Sequence, residues 1–419
     1  MKFEMEYFDV REIRFSEKTR FSDGLLSIDK NELIRQLSSD DRIAVIDIEL
    51  VRPGENARIT NVLDIIEPRI KTGVESYFPG MLRWPGPSGE GVTRVLRGAT
   101  VFEIGAAQGF IGGLVDMDGN GAPLTPYSKT HNVCLLTAPG AGTSLVEYGL
   151  ALKQAGCKAS VYLAAATKGV TPDEAQIFDL DLGKQETSLP RVGYLFQLHS
   201  HGDSREPFVY GDNSRHYYPT ILHPNEILDG AIVCGHYNLS VAIKNYTYSL
   251  LNHPVVAGLY KRHGKELCFG GVVITPEPTS MTDIKRTSMM AANLLKNVLH
   301  VDGVILTKEG GGHTDVDLMQ NCDECEKLGI RTVLVDNEWL GPDGAGEMPL
   351  LAGSDNADAM VSVGNIDAVV DLLPMGRIVG GRAMHDFPGP LDGQLRMPLR
   401  FLATAISQIG SNHLTTEGR

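Results

Sequence analysis

The last third of the chain alternates short apolar runs with longer amphipathic stretches, and this alternation restricts the fold more than any other feature. The runs CFGGVVIT (268–275), DGVILTK (302–308) and IRTVLVD (330–336) have the length and composition of buried strands. Between them, DIKRTSMMAANLLKNVLH (283–300) and the segment around CDEC (322–325) have the periodicity of helices. Strands and helices that alternate in this way predict a parallel sheet covered by helices on both faces.

Upstream the pattern differs. Stretches such as RIAVIDIELV (42–51), broken by Gly and Pro clusters, predict a strand-rich lobe over residues 1–125. In the middle of the chain, HNVCLLTA (131–138) predicts a strand, TSLVEYGLALKQAG (143–156) a helix that ends at Gly156, and KASVYLAA (158–165) the next strand.

These three segments predict a right-handed βαβ unit. The expected fold class is therefore α/β, with a strand-rich N-terminal lobe followed by two α/β blocks whose sheets are mainly parallel. The expected domains are 1–125, 126–233 and 234–419.

Charge and cysteine usage limit the class of partner and the compartment. The 38 basic and 52 acidic residues give a net charge of −14, which argues against nucleic acid or an anionic membrane as the main partner. The chain has no apolar run of the length that crosses a membrane and no signal peptide at its start, so we expect a cytoplasmic protein. Six cysteines in 419 residues do not form a dense disulfide framework, which fits a reducing compartment.

Two glycine-rich loops precede predicted helices, where backbone N–H groups can hold an anion. In TAPGAGTSL the relevant residues are Gly140, Gly142 and Thr143, with Thr143 or Ser144 as the helix cap. A plain capped turn explains this loop equally well, because neither loop matches a phosphate-binding fingerprint.

The second loop, TKEGGGHTDVDL, is the stronger candidate because it combines a carboxylate and an imidazole, Glu309 and His313, with three glycines. Thr314 is the expected N-cap. We predict catalytic roles for Glu309 and His313 at this loop.

The HSHG motif places His199 and His201 on the same side of an extended strand, at a spacing that can chelate a divalent metal. His216, His223 and His236 follow as further candidate ligands. Histidines that only form hydrogen bonds in a polar pocket remain an equal alternative, since no fixed spacing joins the five.

Six tyrosines between residues 210 and 248 suggest an aromatic cage for a cation, because ring faces attract quaternary ammonium groups. The alternative is that part of them packs under loops. The candidate cage residues are Tyr210, Tyr217, Tyr218, Tyr237, Tyr246 and Tyr248.

Two cysteine features need separate treatment. Cys322 and Cys325 form a CDEC motif, which we interpret as a structural pair on a helix because no second ligand pair has zinc-site spacing. Cys234 follows the strand GAIV, and a cysteine can attack the preceding carbonyl to form a thioester and then a pyruvoyl group. That chemistry needs a strained peptide bond and a proton acceptor, and the β-branched Val233 offers neither.

Several longer segments resemble one family. GENARITNVLDIIEPRIK, HPNEILDGAIV, KRHGKEL, EGGGHTDVDLMQNCDECEKLGIRTVLVDNEWLGPDGA, SVGNIDAVVDLLPM and RIVGG are similar to the substrate-binding component B subunit of glycine/sarcosine/betaine reductases and to the related D-proline reductase proprotein. The resemblance implies an anaerobic amino-acid fermentation enzyme in which a selenocysteine- or cysteine-bearing partner subunit attacks the α-carbon of the substrate and expels the amine. It also implies transfer to a small selenoprotein A-like carrier and release as acetyl phosphate.

In the glycine and proline members, the resemblance implies cleavage at Asn-Cys or Thr-Cys and a pyruvoyl chain. Here Cys234 is followed by Gly235 and His236 and is not preceded by Asn or Thr, while Asn321-Cys322 lies in a predicted helix. We therefore expect an uncleaved chain without a pyruvoyl group, with Cys234 catalytic only if it is processed.

A quaternary ammonium nitrogen cannot form an imine with a ketone, so an uncleaved chain favours betaine or a similar amine carboxylate as substrate. The alternatives are a processed glycine- or sarcosine-type subunit, a separate metal-dependent hydrolase or lyase built on HSHG, and a non-catalytic scaffold. A divalent metal is a candidate cofactor, and we expect an oligomer.

Overall fold

The computed structural model describes most of the chain, namely residues 1–73, 77–82, 88–105, 107, 109–183, 188–202, 206–239, 243–346, 350–384, 387 and 389–412. The strands in these ranges are β1 (Lys2–Asp9), β2 (Glu12–Phe15), β3 (Arg20–Ser22), β4 (Leu25–Ile28), β5 (Ile43–Val51), β6 (Ala57–Ile66), β7 (Arg69–Lys71), β8 (Gly91–Arg97), β9 (Ala99–Gly105), β10 (Gly113–Asp116), β11 (His131–Pro139), β12 (Glu174–Asp179), β13 (Arg191–Leu198), β14 (Phe208–Val209), β15 (Asp212–Asn213), β16 (Thr220–Leu222), β17 (Ile232–Val233), β18 (Cys268–Pro276), β19 (Gly303–Thr307), β20 (Arg331–Glu338), β21 (Ala359–Asn365), β22 (Val369–Leu372), β23 (Arg377–Val379) and β24 (Leu395–Pro398).

The α-helices in the same ranges are α1 (Lys30–Leu37), α2 (Leu145–Ala164), α3 (Pro224–Asp229), α4 (Thr247–Leu251), α5 (Pro254–Arg262), α6 (Met281–Asn293) and α7 (His313–Lys327). A π-helical segment, Leu294–Val298, continues α6. Short 3-10 turns occur at Gly119–Leu124, Pro126–Lys129, Ala165–Thr167, Ser214–His216 and Leu399–Phe401. No described helix combines the length and apolar character needed to cross a bilayer.

The C-terminal sheet has the strand order β16-β18-β13-β19-β20-β21, in which β18, β13, β19, β20 and β21 are parallel. Side chains alternate across it. On one face, Tyr194 and Phe196 of β13 pack in the core cluster that includes residues of α5. On the other face, Leu195 packs in the cluster that includes residues of α6 and α7. Helices thus cover both faces of a parallel sheet, and the α/β prediction for this part of the chain is confirmed.

The N-terminal part is strand-rich, as predicted. Strands β10-β6-β9-β11-β5 form one sheet, with β23 added to β6, and β12-β1-β8-β7 form another. Strand β11 lies beyond residue 125 and β23 near the C-terminus, so hydrogen bonds join segments from different predicted domains. The three domain ranges remain predictions.

The predicted βαβ unit is wrong in its second strand. Helix α2 does not end at Gly156 but continues to Ala164, so KASVYLAA is helical. Gly156 is required by packing, because a Cβ at this position would lie 2.1 Å from Oε1 of Glu103. The start of the helix matches the prediction, since Ser144 forms a capping box with Glu147.

Burial of His253 predicts acid sensitivity of this fold. The imidazole is fully buried against Tyr194, whose hydroxyl lies 3.2 Å from Nε2, and burial lowers the pKa of His253 from 6.5 to about 3. Below pH 6.5 the imidazole of His253 binds a proton in the unfolded chain but stays neutral in the folded protein. The free energy of unfolding therefore decreases as the pH falls. Between pH 6.5 and about 5 this one group costs roughly 2 kcal/mol.

Chemical denaturation of the wild type and of His253→Gln at several pH values measures this effect. The difference in unfolding free energy between the two proteins should shrink toward low pH. Parallel stability curves would exclude His253 as the source.

Candidate functional site

The candidate site lies at the carboxyl ends of three adjacent parallel strands. His199 follows β13, Glu277 follows β18 and Glu309 follows β19 by two residues. Because β13 runs between β18 and β19, its terminal loop lies between the other two. This is the edge of an open α/β sheet at which ligands bind.

The HSHG histidines converge with one further histidine. The ring centroids of His199 and His201 are 4.3 Å apart, and His236 stacks on His199 at 5.0 Å and 14°. His236 is fully buried. Of the three additional ligands considered from sequence, only His236 reaches this group.

The other two histidines serve elsewhere. His216 is exposed and lies 2.9 Å from Oδ1 of Asp212. His223 caps α3, accepting from the backbone N–H of Asn225, and its Nε2 lies 3.0 Å from the carbonyl oxygen of Leu180. Their predicted membership in one ligand set is wrong.

Glu309 is buried beside these histidines. Its Oε1 accepts hydrogen bonds from the backbone N–H and side-chain amide of Asn245, both at 3.2 Å, and its Oε2 accepts from the backbone N–H of His199 at 3.4 Å. Burial raises the pKa of Glu309 to about 7, against the lowering effect of these bonds. A carboxyl group in this range can accept or release a proton near neutral pH.

His313 lies at the rim of the site, exposed, with its ring 6.4 Å from that of His201. It is the first residue of α7, and Gly312 occupies the N-cap position. The expected cap at Thr314 is therefore wrong, because Thr314 lies inside the first turn, where its backbone carbonyl accepts a hydrogen bond from Gln197 at 2.8 Å.

Cys234 directly follows strand β17, two residues before His236, and its side chain is fully buried. Its backbone N–H donates to Oγ1 of Thr247 at 2.9 Å, and the N–H of Thr247 donates to Asp64 on β6 at 2.9 Å. Burial raises the pKa of the Cys234 thiol well above its usual value. Neither Val233 nor Cys234 has a left-handed φ. These features describe a buried, protonated thiol on a backbone without a left-handed φ at Val233 or Cys234.

Two of the predicted cage tyrosines do face a cation, and that cation belongs to the chain. The ammonium of Lys244 lies 4.7 Å from the ring centroid of Tyr246 and 6.0 Å from that of Tyr237. Its hydrogen bonds go to the carbonyl oxygens of His236, at 3.0 Å, and Leu63. Burial lowers the pKa of Lys244.

The six tyrosines do not form one cage. Tyr210 and Tyr217 pack against the core cluster that includes Tyr194 and residues of α5. Tyr246 and Tyr248 pack around Tyr127. Tyr237 belongs to the cluster around α2. Tyr218 is 65% exposed. The six rings do not surround one cation, because five of them are divided among three core clusters and the sixth is exposed.

The PGAG loop is explained by packing rather than by an observed ligand contact. A Cβ at Gly140 would lie 1.9 Å from the carbonyl oxygen of Asp41, and Gly142 has a φ of +76°. Thr143 is half-buried beside the exposed cap of α2. A substrate role for these residues stays a prediction.

A cavity of about 210 Å³ lies beside Gly235, the residue before His236. Glu206, Phe208, Arg215, Gly235 and Tyr237 are among its lining residues. The lining includes an ion pair at 3.6 Å between the buried carboxylate of Glu206 and the half-exposed guanidinium of Arg215. The cavity therefore presents both signs of charge next to aromatic faces.

The CDEC motif lies away from this edge. Cys322 and Cys325 are buried in the core cluster that α7 shares with β19 and β20, and all six cysteines of the chain are free thiols. Their burial agrees with the structural interpretation.

Similarity to known proteins decides the family. The sequence profile described as glycine/sarcosine/betaine reductase component B subunits matches residues 1–415. The chain belongs to this family. It is 38% identical to a protein of Acetoanaerobium sticklandii named glycine reductase complex component B subunits alpha and beta, with all of both chains covered. No solved structure matches it significantly.

Two relatives from Peptoclostridium acidaminophilum carry other names. The chain is 37% identical to the sarcosine reductase complex component B subunit alpha, with 91% of this chain and 89% of the relative covered. It is 35% identical to the betaine reductase complex component B subunit alpha, with 91% and 88% covered. The chain is thus a subunit of an amino-acid reductase complex, and the three identities are too similar to select one substrate.

Sequence reasoning missed Glu277, Lys244 and Asn245. Glu277 had a usable signal, because it comes two residues after a predicted buried strand, and Glu309 directly follows the next one. Lys244 and Asn245 had no such signal in the sequence, since they do not follow a strand. Only the tertiary fold brings them to the site.

Proposed function

We propose that this chain binds the small amine carboxylate substrate of a reductive C–N-cleaving component B. The observation that carries the proposal is the small charged cavity beside Cys234–Tyr237 and the HSHG loop, in a chain of this family. Its volume of about 210 Å³ suits a molecule of betaine or glycine size, below the range of drug-sized pockets.

The lining complements such a zwitterion. Glu206 faces the ammonium, Arg215 pairs with the carboxylate, and Phe208 and Tyr237 supply ring surfaces. The attacking nucleophile comes from a partner subunit that bears selenocysteine or cysteine, and the product passes to a selenoprotein A-like carrier. The buried, protonated thiol of Cys234 supports this division of labour, because the thiolate is the nucleophilic form.

Within this class we propose a quaternary amine carboxylate, such as betaine, and an uncleaved chain. A trimethylammonium group has no N–H with which to form an imine, so a ketone cofactor would not activate it. The absence of a left-handed φ at Val233 and Cys234 and the raised pKa of the thiol support the absence of cleavage at this bond.

Co-purification with the partner subunit, intact mass measurement and calorimetric titration with betaine, sarcosine and glycine test this proposal. We expect one species near 45.5 kDa and tighter binding of betaine than of the other two. Two fragments divided near residue 233, with a carbonyl-capped new N-terminus, would instead establish the glycine- or sarcosine-type alternative.

Arg215→Met tests the cavity itself. Loss of a charge-assisted hydrogen bond of about 1.5–3 kcal/mol should weaken binding by roughly 10-fold to 100-fold. Arg262→Met is the matched control, because Arg262, the last residue of α5, pairs with exposed Glu266 at 2.7 Å, outside the cavity. Equal affinities in both variants would remove Arg215 from the substrate site.

A further inference from the structure

Glu277 turns the predicted histidine pair into a three-residue cluster. Donor atoms of His199, His201 and Glu277 all lie within 4.8 Å of one another. His199 is 4% exposed and Glu277 fully buried, while His201 is half-buried. The three residues come from two loops that leave the carboxyl ends of the adjacent strands β13 and β18.

Only one of the two carboxylate oxygens of Glu277 accepts hydrogen bonds from the described residues. Its Oε1 accepts hydrogen bonds from Nε2 of Gln197 at 3.0 Å and from the backbone N–H of Glu309 at 3.3 Å. Its Oε2 is buried and has no hydrogen-bond partner among the described residues, and Glu277 forms no ion pair within those ranges. A bound cation would satisfy this buried oxygen, which is costly to leave without a partner.

We propose that His199, His201 and Glu277 bind one divalent transition-metal ion. Two imidazole nitrogens and one carboxylate oxygen are a donor set suited to Zn²⁺ or Fe²⁺ rather than to Ca²⁺ or Mg²⁺, which prefer oxygen alone. Three protein ligands leave at least one coordination position for an external ligand, as in catalytic metal sites.

Outer contacts hold these ligands in place, as metal sites require. Gln197 bonds Glu277 and in turn accepts a hydrogen bond from Asn321 at 3.0 Å. Ser200, between the two histidines, donates to the backbone carbonyl of Glu277 at 2.9 Å and accepts from its N–H at 2.8 Å. The stacked ring of His236 supports His199.

The open position gives the ion a role in substrate binding, and this step rests on the proposed function. Gly202, directly after His201, lies close to the cavity, because a Cβ at this position would be 3.7 Å from Oε1 of Glu206 and 3.9 Å from Nη1 of Arg215. A substrate carboxylate in the cavity can thus reach toward the cluster. Bound there, the metal polarises the carboxylate and fixes the α-carbon for attack from the partner.

Metal titration of chelator-stripped, full-length protein tests the site. Zn²⁺ titrations measure affinity, and Co²⁺ titrations measure visible absorption bands that report nitrogen and oxygen ligation. The wild type should bind one ion per chain. His201→Ala and Glu277→Gln should weaken binding by more than the roughly 10–100-fold that follows loss of an outer-shell contact.

His216→Ala is the matched control, because His216 is an exposed histidine paired with Asp212 outside the cluster, and it should bind metal as the wild type does. Circular dichroism verifies folding of each variant. Absence of Zn²⁺ and Co²⁺ binding by folded wild type, or equal binding by wild type and both ligand variants, would overturn the metal site.

Betaine titration of stripped and Zn²⁺-loaded wild type separates the two proposals. Tighter betaine binding to the loaded protein supports the carboxylate role. If metal binds at the cluster but betaine affinity is unchanged by it, the metal site stands and its substrate role fails. If metal binds and no amine carboxylate binds in either state, the proposed function fails instead.

Discussion

Replacing Lys308 with Met should lower the free energy of unfolding by about 3–5 kcal/mol, the cost of removing one partner from a buried ion pair. The ammonium lies 3.0 Å from Asp336 and 3.4 Å from Asp315, and all three side chains are fully buried. It also donates to the carbonyl of Gly310 at 2.8 Å. Without it, two buried carboxylates lose their cation and the loop that carries Glu309 loses an anchor.

Denaturant unfolding measures the effect, with Lys327→Met as control. Lys327 ends α7, is 60% exposed and pairs with Glu324, so its loss should cost less than about 1 kcal/mol. Adding Asp336→Asn to Lys308→Met should recover part of the loss, since one uncompensated charge disappears. If Lys308→Met is as mild as the control, this ion cluster does not stabilise the loop.

The C-terminal strands were predictable from sequence because both faces of their sheet are buried. Runs such as 268–275 and 330–336 are mostly apolar, and the helices between them have clear periodicity. The order of the strands was not predictable. Strand β13 comes first in the chain but inserts between β18 and β19, and only this insertion brings His199 next to Glu277 and Glu309.

Helix α2 shows where local pattern fails. Its second half is rich in Ala with Val and Tyr, a composition that suits a strand and a buried helix equally. Gly156 was therefore interpreted as the end of the helix, although the helix continues past it. The glycine instead allows the helix to approach Glu103. That requirement comes from another strand, far away in sequence, and no local pattern carries it.

The arrangement of the six tyrosines was not predictable from sequence for a related reason. Sequence spacing showed that six rings were near each other along the chain but not which face of which sheet each would cover. The cation between Tyr237 and Tyr246 is Lys244, a residue without any signal in the sequence. The two histidines of the HSHG motif lie close together because they share one short extended segment.

Replacing Lys153 with Met should be the second strongly destabilising change, again by about 3–5 kcal/mol. Lys153 projects from α2 into the N-terminal sheet, where its ammonium contacts Glu103 at 3.0 Å and Asp64, with all three side chains fully buried. Asp64 also binds Thr247, which holds the backbone of Cys234. The variant should therefore loosen the segment beside the cavity as well as the helix.

Chemical denaturation and thiol labelling of Cys234 under native conditions measure the two effects. Lys158→Met is the matched control, because Lys158 lies on the same helix and is exposed, so it should change neither. Burial raises the pKa of Glu103 to about 8. Lys153→Met combined with Asp64→Asn should then be more stable than Lys153→Met alone. If the single variant unfolds like the control, the network around Cys234 does not depend on the lysine.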